Sequence, residues 1–135
     1  MNSGEMDIVT KKKLNILIQL AEADKHFAKV ERDLIVRIAQ ERNFSEDDVN
    51  GLIRNPEPIG TLGALSEDQK FEYLINCIEL IFADKRVFES ELIFSKSIAI
   101  KLGFKKNVID YLVENLEKAG PAEARKKVFQ DFLVV

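Results

Sequence analysis

The 135-residue chain is 46% hydrophobic and 32% charged, with only 6 Gly and 3 Pro, which suits one ordinary folded domain and argues against a loop-rich or disordered chain. Its net charge is −3, and its basic runs, Lys11-Lys12-Lys13 and Arg125-Lys126-Lys127, are short and read as solvated helix faces, so nucleic acid is not an expected partner. The lone cysteine, Cys77, excludes an internal disulfide, and neither a signal-peptide layout nor an apolar run of the roughly 20 residues a membrane helix needs is present. The expected setting is cytoplasmic, with no membrane span.

Helical periodicity runs from end to end. Leu14, Leu17, Ile18 and Ala21 fall on one helix face, and Leu34, Ile35, Ile38 and Ala39 on the next. Ser45 opens a short helix carrying Val49, Leu52 and Ile53. The stretch 55–65, with two Pro and two Gly, is the one linker. Ser66 with Gln69 reads as a capping box for a helix reaching Ala83. That helix is so apolar, with Phe71, Leu74, Ile75, Ile78, Ile81 and Phe82 on its main stripe, that it is predicted to be central to the core. Ile109, Leu112, Val113 and Leu116 mark a further helix. Gly120-Pro121 reads as a stop and restart before a last helix bearing Val128, Phe129 and Phe132.

The same pattern occurs twice. Residues 14–53 and 74–113 align without gaps at an offset of 60, with eleven identical pairs in forty. Shared periodicity accounts for matched apolar positions such as Leu14/Leu74 and Ile18/Ile78. It does not account for Ala23-Asp24-Lys25 matching Ala83-Asp84-Lys85, with Glu31 matching Glu91. The expected fold is therefore all-α: a single-domain bundle of six or seven helices, made of two tandem three-helix repeats in a pseudo-twofold relation. Repeat one covers about 8–54, the linker 55–65, repeat two about 66–118, and a C-terminal helix about 121–133.

The duplication places Asp24 and Asp84 at the ends of long helices, with Glu31 and Glu91 near the starts of the next ones. A carboxylate at a helix C-terminus meets the negative end of the macrodipole, so something must compensate it. One compensation is structural: the aspartate caps the following helix, or Lys25 and Lys85 neutralise it. The other is a hard cation such as Ca²⁺ or Mg²⁺ held by the four carboxylates. The spacing is not that of an EF-hand, since the third and fifth positions from Asp24 are His26 and Ala28, and from Asp84 are Arg86 and Phe88.

Ala23-Asp24 with Glu31, and Ala83-Asp84 with Glu91, each in an apolar helical hairpin, resemble the TerB-like family, whose namesake is the tellurite resistance protein TerB. The resemblance covers about residues 14–113 and implies an all-helical duplicated fold with a metal site at Asp24, Glu31, Asp84 and Glu91. The implied function is that of a non-enzymatic module, divalent-cation binding (Ca²⁺, Mg²⁺ or Zn²⁺) and linked to stress or to tellurite and metal tolerance. Lys25 and Lys85 stand where the family pattern has Gly, the residue that takes a positive φ most readily.

No catalytic signature accompanies these residues. A Gly-rich phosphate loop, a Gly-x-Ser-x-Gly and a Cys-x-x-Cys are all missing from the sequence. His26 reads as a loop histidine, Cys77 as a buried inert thiol, and Tyr73 and Tyr111 as packing residues with wetted hydroxyls. The alternative to a cation module is a metal-free protein-interaction scaffold, with docking surfaces at the linker 55–65 or at Phe129, Phe132 and Leu133.

Overall fold

Local capping signals set where the helices of this chain begin. In the computed structural model, which describes residues 7–25, 27–83 and 85–134, six helices account for the regular structure of the described residues. They are α1 (Ile8–Ala21), α2 (Lys29–Glu41), α3 (Glu46–Arg54), α4 (Glu67–Phe82), α5 (Glu89–Leu102) and α6 (Val108–Asp131). Asp7 caps α1 by accepting from the Val9 amide at 3.1 Å. Ser45 and Asp48 form the reciprocal capping box of α3, at 3.1 and 2.8 Å. Ser66 and Gln69 do the same for α4, at 3.1 and 2.9 Å. Gly120 breaks α6 internally with φ 81° and ψ 162°, a conformation open almost only to glycine, so the stop read at Gly120-Pro121 survives as a kink. Among the described residues, no helix is long and apolar enough to cross a membrane.

The helices surround one hydrophobic core; α4 is central to it, as its apolar girth predicts, and α1 is the hub. It packs against α2, α3, α4 and α5, and every residue from Lys13 to Ile18 is buried. Periodicity alone underrates α1 because Lys13 and Asn15 interrupt its apolar pattern. Both polar side chains are buried with specific partners. Lys13, only 4% exposed, places its Nζ 2.6 Å from the Glu72 carboxylate of α4. The reading of Lys11-Lys12-Lys13 as a wholly solvated face is therefore corrected at Lys13. Asn15 donates to the Glu57 carbonyl at 2.8 Å and accepts from the Glu57 amide at 2.9 Å, which pins the linker to α1. Pairing of this kind is what makes a buried polar group tolerable.

Two further expectations change. The Tyr73 hydroxyl is not wetted: the residue is 1% exposed and donates to the Val9 carbonyl, fastening the start of α1 to α4. Parts of the surfaces expected to dock a partner also pack within the chain, while most of the linker 55–65 stays exposed. Leu62 of the linker is in the core, Phe129 stands edge-on to Phe104 at 5.5 Å, and Phe132 lies 5.2 Å from Tyr111. A short antiparallel bridge ties Leu133 beside Phe104, through Lys105 N–H to the Phe132 carbonyl at 2.7 Å and Val134 N–H to the Gly103 carbonyl at 2.9 Å.

Positions sixty apart adopt matching local geometry. Lys25 and Lys85 have φ 63° and 65°; Asn43 and Gly103 have φ 67° and 99°. The amides of Phe44 and Phe104 both return to alanine carbonyls, Ala39 and Ala99, at 2.9 Å. The left-handed residue after each second helix reverses the chain and sends the following phenylalanine into the core.

Candidate functional site

The described residues of the two hairpin apices share several features. After α1, Lys25 donates to the Glu22 carbonyl at 2.9 Å; after α4, Lys85 donates to the Phe82 carbonyl at 3.2 Å. Each apex then enters its second helix through an N-cap residue that has no side-chain oxygen, Ala28 for α2 and Phe88 for α5. The cap is supplied from the third helical position instead. Glu31 Oε1 accepts from the Ala28 N–H at 2.9 Å, and Glu91 Oε1 accepts from the Phe88 N–H at 3.4 Å. The glutamates thus each accept an amide at the next helix start, a role that the sequence had offered to the aspartates.

Both glutamates are buried, Glu31 at 1% and Glu91 at 0% exposure. They come from different hairpins, yet their carboxyl groups lie within hydrogen-bonding reach of one another. Burial pushes the Glu91 carboxyl well above the usual carboxylate range. The Glu31 carboxyl beside it and the charge of Asp24 push the same way, while the Phe88 N–H pulls back. Glu91 Oε2 is buried and has no hydrogen-bond donor while both groups are ionised. Two carboxylates this close and this dry need positive charge between or beside them: a proton, a metal cation or a basic group.

Of the four residues singled out in the sequence, Glu31 and Glu91 meet, and half-buried Asp24 is near enough for its charge to act on Glu91. Asp84 lies outside the described residues, as does His26. Among the described residues, no three His, Cys, Asp or Glu side chains form a group able to hold a metal ion. Lys25 and Lys85 are exposed. Cys77 is buried, and burial pushes its thiol up to about 12, which leaves it a poor nucleophile.

Beside the second apex lies a groove of about 870 Å³ between α2, α4 and the part of α6 before its kink. Val30, Leu34, Ile78, Phe82, Val113 and Leu116 give it apolar walls, with Val30 47% and Phe82 42% exposed. A shallower groove of about 580 Å³ lies beside the first apex, between the end of α1 and α5. Each residue lining it has its counterpart, sixty positions away, in the larger groove. Sequence reading missed these grooves because Phe82 falls on the apolar stripe of α4 and no pattern sets Val30 apart as a groove wall. Their exposure depends on α2 and α4 standing apart. Compared with protein-family models, curated proteins and solved structures, the chain matches none.

Proposed function

We propose that this protein is a non-enzymatic, TerB-like helical module, two copies of one three-helix unit about a pseudo-twofold axis, whose paired acidic apices take up a hard divalent cation. The observation that carries the reading is the meeting of Glu31 and Glu91, buried, from opposite hairpins, with Glu91 Oε2 lacking a donor. The matched turns and matched groove linings sixty residues apart support the duplicated unit. A cation would be held by Glu31 and Glu91 with Asp24 and Asp84, and would supply the positive charge that the buried pair requires. An all-carboxylate donor set favours Ca²⁺ or Mg²⁺ over Zn²⁺. Asp84 is essential to the reading, because the described residues alone fall short of three ligating side chains. The link to stress or tellurite and metal tolerance rests on the resemblance in the hairpin motifs.

Calorimetric titration of the metal-stripped protein with Ca²⁺, Mg²⁺ and Zn²⁺ tests the proposal. Binding heat that disappears in Glu91→Gln and in Asp84→Asn supports it. Silence in the wild type, or unchanged heat in both variants, overturns it.

A metal-free interaction scaffold is the second reading. It is favoured by the hydrogen bonds from the Ala28 and Phe88 amides, which give both glutamates a purely structural task. The groove walled by Val30 and Phe82 is then the docking surface. This reading expects a melting temperature indifferent to divalent cations and a loss of about 0.5–2 kcal/mol in Glu31→Ala, the usual cost of a lost cap.

A further inference from the structure

We draw no further inference here: the strongest candidate, the apolar groove between α2, α4 and α6, has a rim that mixes acidic and basic side chains, and nothing in the structure shows what covers it.

Discussion

Beside the first apex the chain presents Gln19 and Glu22 against Ser90 and Ser97; beside the second, the positions sixty away are Glu79 and Phe82 against Val30 and Arg37. Among the described residues between these flanks, both places have a lysine at positive φ and a glutamate reaching back to an N-cap amide. The contrast separates two kinds of constraint. Turn geometry is set by hydrogen bonds among neighbours in sequence, so two copies of a motif reproduce it. The flanks answer to whatever lies across the bundle. There α5 packs on α1, whereas α2 and α4 leave room for a groove that α6 borders.

The largest expected effect probes the core behind each hairpin. Phe104 is fully buried and has Phe129 against its edge, while Phe44, sixty residues earlier, is 6% exposed. Phe104→Ala should cost roughly 3–5 kcal/mol in chemical denaturation, with Phe44→Ala at the lower end of that range. A larger loss at Phe44 would break the assignment of the tighter packing to the second hairpin.

The acidic pair comes next. Glu91→Ala removes the bond from the Phe88 amide and should destabilise the protein by about 0.5–2 kcal/mol, as lost caps do. Glu91→Gln keeps an acceptor for that amide and adds a donor for Glu31, so in metal-free protein at neutral pH it should melt higher than wild type. The sign of the pH effect follows from linkage. Glu91 binds its proton more tightly folded than unfolded, so the contribution is full at acid pH and is lost as pH rises above the ordinary carboxylate range. The advantage of Glu91→Gln should therefore shrink on acidification. Melting curves at several pH values check this, and an advantage that grows at low pH contradicts it.

Smaller effects belong to the turns. Lys25 and Lys85 hold φ 63° and 65°, which favours glycine. Lys25→Gly and Lys85→Gly should each stabilise by roughly 0.5 kcal/mol, relief of left-handed strain being partly offset by greater freedom of the unfolded chain. Similar shifts at both sites would sharpen the equivalence of the apices, and opposite signs would break it. Least of all, Cys77 should ignore a thiol reagent at neutral pH until denaturant is added, since burial holds its thiol at about 12.

Much of the local structure was legible in the residues. Ser45 with Asp48 and Ser66 with Gln69 mark helix starts because a capping box involves only residues three apart. Gly120-Pro121 marks a break for the same local reason. The site was half legible. The recurrence of Glu31 as Glu91 pointed to an acidic apex, but the glutamate caps were not read, because Ala28 and Phe88 give no sign that a glutamate will reach back to them. Lys13 was misread because its partner, Glu72, lies 59 residues away.

The sequence by itself determined the helical class, the main capping signals and the repetition of one apex motif, since each depends on contacts within a few residues or on direct identity between two stretches. Only the tertiary structure decided that α1 is the hub, that Glu31 and Glu91 share one dry site, and that one flank opens into a groove. Those outcomes come from packing between helices far apart in the chain. Small shifts in how the helices stack there decide whether a side chain is buried, paired or exposed, and no pattern along a single helix carries that information.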